Sequence, residues 1–281
     1  MGYKTVRKVM KEYLICIDSD GCAIDSMDIK HKKCFGPCMI KEWGLEKWQD
    51  EILDRWNKVN LYSATRGINR FLALGMILSE VNDKYTRISG IEEFSKWCRE
   101  TDTLSNSEVQ KMVIKNDIFA KALAWSQSVN AEIENISADI CPFEEVKAAL
   151  RYIHGKADIA IVSSANPQAV DDEWTRFGLM EHVDYVMAQD KGSKKECIGK
   201  LLSMGYEKGK TLMIGDALGD EKAAKSNDVS FYPIVTRKEN ESWKLFCSEA
   251  FDEFISGRYA GEYQKKFTDR FYDGFGVGDN L

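Results

Sequence analysis

Only four prolines and eight cysteines punctuate this chain of 281 residues. No apolar run approaches the ~20 residues that a membrane-spanning helix needs. Residues 1–12 are short and charged and lack the apolar stretch of a secretory leader, so none is expected. The cysteines, Cys16, Cys22, Cys34, Cys38, Cys98, Cys141, Cys197 and Cys247, are scattered. Cys34 and Cys38 are the closest pair, and no second pair completes a zinc pattern. Free thiols in a reducing cytoplasm are the expectation. No basic stripe interleaved with aromatics occurs, and the formal charge is −6. Nucleic acid and anionic membrane are therefore disfavoured as partners. Internal repeats and low-complexity segments are absent as well. What is present, 44% apolar and 30% charged residues, suits a globular chain with a sizeable core. The length predicts one domain plus an insertion or a small second domain.

Two carboxylates one residue apart carry most of the information. Asp18 and Asp20 stand in Asp18-Ser19-Asp20-Gly21, directly after the apolar run Tyr13-Leu14-Ile15-Cys16-Ile17. Such a run followed by Gly reads as a buried strand feeding a tight turn. Two anions at a strand end repel each other, and a divalent metal held through oxygen would relieve them. About 200 residues later a second cluster follows another apolar run: Thr211-Leu212-Met213-Ile214-Gly215-Asp216, then Asp220. In a parallel sheet the two clusters can converge on one metal.

The order of elements supports such a sheet. Strand-like runs recur at 15–17, 159–162, 183–187, 212–214 and 229–235, separated by helix-like segments. Phe143, Val146, Leu150 and Ile153 form one helical stripe. Val170, Trp174 and Phe177 form another, and Ile198, Leu201 and Leu202 a third. Pro142 and Pro167 each fit the first turn of a helix. Continuous apolar strands alternating with helices predict an α/β fold with a Rossmann-like parallel sheet. Residues 1–26 and 139–236 are assigned to this core. Residues 27–138 carry no strong strand signal and read as helices, notably around 45–60, 68–81, 90–100 and 106–130. This block is too long for an ordinary crossover and reads as an inserted helical cap. Residues 237–281 recur in aromatics, from Trp243 to Phe275, at roughly helical spacing. They are expected to form a helical extension packing back on the core, with a dimer interface as the alternative, and with a frayed Gly-rich end at 274–279.

Four pieces now line up in order. They are Asp18–Ser26 with its paired carboxylates, Ser163-Ser164-Ala165-Asn166 after the second strand, Lys191-Gly192-Ser193-Lys194-Lys195 opening a helix, and Gly215–Asp220. Together they resemble the haloacid dehalogenase (HAD) superfamily of phosphohydrolases, in the subgroup with a helical cap after the first motif. The resemblance covers residues ~12–236 and implies the following roles. Asp18 is the nucleophile and forms an aspartyl-phosphate. Asp20 is the general acid and base. Ser163 and Lys194 hold the transferring oxygens. Asp18, Asp20 and Asp216 bind magnesium, with Asp220 a further ligand or a support behind them. Backbone N–H groups of the turn after Asp18 add a phosphate cradle. Lys191 and Lys195 are rivals to Lys194.

Taken alone, each piece has a plainer reading. Ser163 would serve as a helix N-cap, Lys194 would be a surface lysine, and Asp216 would cap a helix. The dehalogenases that name the superfamily lack a carboxylate at the place of Asp20, so its presence favours phosphate esters. Two departures stand out. Ser19 replaces a bulky apolar residue beside the nucleophile and could alter the pocket edge. Cys22 stands where Thr or Val is usual. In the cap, Arg66-Gly67-Ile68-Asn69-Arg70 resembles the stretch of capped relatives, β-phosphoglucomutases included, whose arginine contacts the substrate's far end. Arg70 is the matching position, and its plainer reading is a solvated arginine at a helix start. Arg66, Asn69, Ser164 and Asn166 are further substrate-binding candidates.

The expected activity is a magnesium-dependent phosphatase acting on a small phosphorylated metabolite, as a monomer or homodimer. A sugar phosphomutase of the same superfamily is the alternative. A non-catalytic phosphate-ligand or partner-binding protein is the alternative of another class.

Overall fold

A computed structural model describes residues 10–101 and 103–275. The Gly-rich end from 276 onward, including most of the stretch expected to fray, lies outside them. The chain divides into two compact units. One runs up to Asp25 and resumes from Cys141 to Gly274, and the other runs from Ser26 to Ile140.

The first unit is an α/β domain. In chain order its strands are β1 (Tyr13–Ile17), β2 (Ile24–Asp25), β3 (Cys141–Pro142), β4 (Ala157–Val162), β5 (Tyr185–Met187), β6 (Thr211–Gly215) and β7 (Ser230–Pro233). Five of them form one parallel sheet in the order β5-β4-β1-β6-β7. All five predicted runs are thus strands of one sheet. β4 and β6 are buried throughout, as strands with helices on both faces are. From β1 the chain first builds outward through β4 and β5, then returns to the other side of β1 for β6 and β7. This reversal opens a crevice at the carboxyl ends of β1 and β6, where ligands bind in such sheets.

The predicted stripes fall on helices Val146–His154, Pro167–Arg176 and Lys194–Ser203, except that Phe143 precedes the first helix and Phe177 caps the end of the second. Pro167 occupies the first turn of its helix. Pro142 does not: it lies in β3, paired with Ile24 of β2, and the next helix begins only at Val146. A two-residue ribbon tolerates a residue without an N–H, so proline fits there as well as at a helix start.

The aromatic segment forms helices Glu239–Leu245, Phe251–Ile255 and Glu262–Gly274 within the same unit. Trp243, Phe246, Phe251, Phe254, Tyr259, Phe267 and Phe271 are all buried. Phe246 and Phe267 pack on Tyr232 of β7 at ring distances of 4.8 and 5.2 Å. Tyr259 donates its hydroxyl to the Phe231 carbonyl at 2.8 Å, and Tyr13 of β1 donates to the Ile255 carbonyl at 2.8 Å. The extension therefore adds a layer to the sheet's own core.

Between Ser26 and Ile140 the described residues form no strand. The main helices are Gly36–Trp43, Gln49–Leu61, Arg70–Lys84, Ile91–Glu100, Asn106–Met112 and Asp117–Asn135. They enclose a core of their own around Trp56, Phe71, Phe94, Phe119 and Trp125. Both indoles are satisfied inside it: Trp56 donates to His31 Nδ1 and Trp125 to the Phe35 carbonyl, each at 3.1 Å. The stretch expected as one helix over 106–130 is two. The chain turns at 113–115, and Asn116 caps the second helix by accepting from the Ile118 N–H at 3.2 Å. The segment from Met27 to Trp43, which the sequence did not single out, is also helical. It widens into a π-turn at His31–Phe35, just ahead of Pro37. Proline cannot donate to the preceding turn and crowds its carbonyl, and a wider turn relieves both problems.

Candidate active site

β1 ends at Ile17, but its ladder continues for one more bond: the Asp18 N–H donates to the Ile214 carbonyl of β6 at 3.0 Å. Asp18 is thereby fixed by its backbone at the crevice, 94% buried. Asp216 follows the last residue of β6 and is buried beside it. The chain then turns into helix Leu218–Ser226, and Asp220 in its first turn points back. One Asp220 oxygen accepts from the Ala217 N–H at 3.1 Å. A side chain at Gly215 would occupy the same space, because an added Cβ would lie 2.4 Å from Asp220. Glycine at the end of β6 is thus a condition for the position of Asp220.

One oxygen from each of Asp18, Asp216 and Asp220 lies within 4.8 Å of the others. Lys194 completes the group. Its Nζ stands 2.9 Å from Asp18 Oδ2 and 2.5 Å from Asp220 Oδ1. It projects from the first residue of its helix, which Ser193 caps with a reciprocal bond from Glu196. Lys191 instead pairs with Asp190 at 2.6 Å, and Lys195 is exposed. Burial first, then the Asp220 and Asp216 charges, raise the Asp18 carboxyl well above its ordinary value against the pull of Lys194. Burial alone would lower the Lys194 ammonium, but the charges and hydrogen bonds of Asp18 and Asp220 outweigh it and keep it protonated. Three carboxylates and one ammonium thus gather in a buried site. A hard divalent cation bound through oxygen fits this donor set. The Asp20 carboxylate is not among the three.

Asp20 lies half-buried in the turn between β1 and β2. Gly21 takes a φ of 79°, which a side chain would resist. The turn's amides face inward. Those of Cys22, Ala23 and Ile24 donate to the Ser19 carbonyl at 3.3, 3.0 and 2.9 Å, and that of Gly21 donates to Ile24 at 2.8 Å. The cradle expected from this turn therefore cannot use residues 21–24, since their N–H groups close the turn itself. Nor does Ser19 form a pocket edge: it is buried and accepts from the Trp174 indole at 2.9 Å. Cys22 is buried behind the turn, its thiol directed at the Ile214 carbonyl. Burial, then the Asp18 charge, hold that thiol protonated.

Ser163 follows the last residue of β4, with its N–H bonded to the Met187 carbonyl of β5 at 2.9 Å. Its hydroxyl accepts from the Ala165 N–H at 3.1 Å. The helix cap is Asn166, which accepts from the Gln168 N–H at 2.9 Å. Ser164 and Asn166 are exposed.

The cap-segment candidates are bonded within their own unit. Asn69 caps helix Arg70–Lys84 and donates to the Leu104 carbonyl at 3.1 Å. Arg70 donates to Ser126 Oγ at 3.0 Å and Asn130 Oδ1 at 2.7 Å, and lies 4.9 Å over the Phe35 ring. Arg66 is buried and donates to the Leu61 carbonyl at 3.0 Å.

Three participants escaped the sequence reading. Trp174 looked like part of a core stripe, and Trp243 like one aromatic among many. Gly215 carries a signal, a Gly-Asp step after an apolar run, but in sequence that step points to the aspartate.

The sequence model for haloacid dehalogenase-like hydrolases matches residues 79–234, more than half of the chain. The chain belongs to this family. The matched span of this HAD hydrolase holds Ser163, Lys194, Asp216 and Asp220. It begins after the Asp18 turn and ends before the aromatic helices. No curated protein is matched. Among solved structures, the HAD chain is similar to a candidate phosphoglycolate phosphatase from Lactobacillus delbrueckii subsp. bulgaricus, with a TM-score of 0.54, 12% identity, and 80% of this chain and 87% of that one covered. It is also similar to a haloacid dehalogenase-like hydrolase from Streptococcus pneumoniae, with a TM-score of 0.51, 12% identity, and coverage of 83% and 90%. A candidate haloacid dehalogenase-like hydrolase from Bacteroides fragilis gives 0.52, 14%, and 80% and 89%. At these identities the likeness is one of fold. No helix among the described residues is long and apolar enough to cross a membrane.

Proposed function

We propose that this HAD hydrolase is a magnesium-dependent phosphatase acting on a small phosphorylated metabolite through an aspartyl-phosphate on Asp18. The supporting observation is the convergence of Asp18, Asp216, Asp220 and Lys194 at the ends of β1 and β6. Asp18 attacks phosphorus in line with the leaving group. Asp20 gives its proton to the departing oxygen, then removes one from the water that cleaves the acyl phosphate. Lys194 and Ser163 hold the oxygens of the transferring group, and Ser164 and Asn166 line the approach. Asp18, Asp216 and Asp220 would hold the magnesium ion, with Asp20 contributing from the turn. When bound, the ion supplies positive charge that keeps Asp18 ionised and screens it from the anionic ester.

The direct test is a panel of phosphate esters with and without magnesium. Chelation is expected to lower turnover at least about 100-fold, and added magnesium to restore it. Full turnover by chelated protein would remove the metal from the proposal.

Arg70, Arg66 and Asn69 are retained as candidates for the far end of the substrate. Their bonds within the cap give a second, structural consequence. Arg70→Ala removes the bonds to Ser126 and Asn130, so a lower melting temperature is expected, equivalent to about 1 kcal/mol. If Arg70 also grips substrate, kcat/KM on the best ester of the panel falls more than on an aryl phosphate with nothing to grip. Equal changes on both would leave Arg70 a support of the cap only.

A further inference from the structure

The proposed chemistry places severe demands on one short turn. Asp18 and Asp20 must work on opposite ends of the same phosphorus–oxygen bond, and small displacements of a proton donor cost rate steeply. The turn is held at two points by indoles from distant parts of the chain. Trp174, on helix Pro167–Arg176, donates to Ser19 Oγ at 2.9 Å. Trp243, on helix Glu239–Leu245, donates to the Cys22 carbonyl at 2.8 Å. Both rings are fully buried. An indole N–H can only donate, and a buried one needs an acceptor. Ser19 and Cys22 bracket Asp20 and Gly21, so the anchors lie on either side of the acid–base carboxylate. Ser19 is one of the two departures noted in the sequence, and its hydroxyl is what meets Trp174. Trp243 lies beyond the span matched by the family model. The aromatic extension thus reaches the reaction turn with a specific bond as well as covering the sheet.

We propose that Trp174 and Trp243 are positioning residues for Asp20, and that proton donation by Asp20 depends on both indole N–H groups. This rests on the phosphatase reading above. Asp18 attack itself depends on them less, because Asp18 is fixed separately by β6 and Lys194.

The test uses Trp174→Phe and Trp243→Phe, which keep a buried ring and remove the N–H, and Ser19→Ala, which removes the acceptor. Each is assayed as kcat/KM on a primary alkyl phosphate and on 4-nitrophenyl phosphate. This parameter reports events up to departure of the leaving group, so later hydrolysis of the acyl phosphate does not enter. An alkoxide leaves only with a proton, whereas nitrophenolate leaves without one. Each variant is expected to lose about 10-fold or more on the alkyl ester and less than about 3-fold on the aryl ester. Combining Ser19→Ala with Trp174→Phe is expected to add little to either alone. Equal losses on both esters, or none, would overturn the proposal, since a general loss of fold lowers both together. If the wild-type chain cleaves neither ester, the phosphatase reading fails, and the anchoring is then judged by hydrogen exchange. Trp174→Phe is expected to speed exchange at the amides of Cys22, Ala23 and Ile24. Unchanged exchange there would show that the indole holds nothing in place.

Discussion

Asp18→Asn is expected to abolish phosphate-ester hydrolysis, with kcat falling by at least about 10⁴-fold. An amide has neither the charge nor the lone-pair basicity to displace an alkoxide from phosphorus, and no other carboxylate of the cluster is placed to substitute. Asp216 and Asp220 project from the end of β6 and the following helix, and Asp220 is already engaged by Ala217 and Lys194. The loss should be chemical rather than structural. The side chain keeps its shape and one oxygen able to accept from Lys194. The substitution also removes one of three carboxylates that repel one another in a buried site. The melting temperature of metal-free Asp18→Asn is therefore expected to be no lower than that of the parent chain. Steady-state turnover beside a thermal melt reads both halves. Near-normal turnover would show that Asp18 is not the nucleophile. Lost turnover accompanied by a lowered melting point would place its role in folding.

Gly215→Ala is expected to be nearly as damaging, by a different route. The added methyl would lie 2.4 Å from Asp220, whose Cβ, Cγ and Oδ2 all crowd the same spot. Asp220 is fully buried, and Gly215 is locked in β6 opposite Pro233 of β7, so neither can withdraw without breaking bonds. Displacing Asp220 detaches it from Lys194 and opens the carboxylate cluster. A stability loss of about 1–3 kcal/mol is expected from the overpacking. Activity should fall at least about 100-fold as the site loses its preset charges. Gly219→Ala is the control, because a Cβ there meets nothing within 4 Å. It should melt and turn over like the parent chain. Similar behaviour of the two variants would mean that the close approach of Gly215 to Asp220 has no consequence.

The reach of sequence reading follows the range of the interactions involved. Strands β1, β4 and β6 announce themselves through apolar runs, because a strand covered on both faces admits a polar residue only with its own partner, as Asp158 in β4 accepts from the Tyr206 hydroxyl. Asp18 and Asp216 were legible for the same reason, each being the first polar residue after such a run. The split between the sheet and an all-helical block was legible from the change of hydrophobic period. The break at 113–115 was not, since the pattern on either side keeps the same period and only Asn116 marks the restart. Pro142 was ambiguous because a helix start and an edge ribbon both tolerate a missing N–H.

The convergence of Asp18 with Asp216 is legible across some 200 residues, because parallel strands bring their carboxyl ends together, but the finer contacts between distant segments are not. Asp20 and Asp220 each follow a strand end within one turn of chain, and nothing local favours one over the other. Asp220 joins the cluster because a helix turn aims it back at a bare glycine. Lys191, Lys194 and Lys195 differ little in sequence. The cap at Ser193 sets the helix start, and the rotation of that start alone carries Lys194 inward to Asp18. The two tryptophans on the reaction turn come from 155 and 221 residues away, and no local pattern encodes such a pairing. The sequence by itself thus determined which segments become strands and which carboxylates stand at their ends, because local periodicity governs both. Only the tertiary structure decided that Asp220 rather than Asp20 joins Asp18 and Asp216, and which lysine and which indoles meet them, because that depends on register and helix rotation set by packing across the whole sheet.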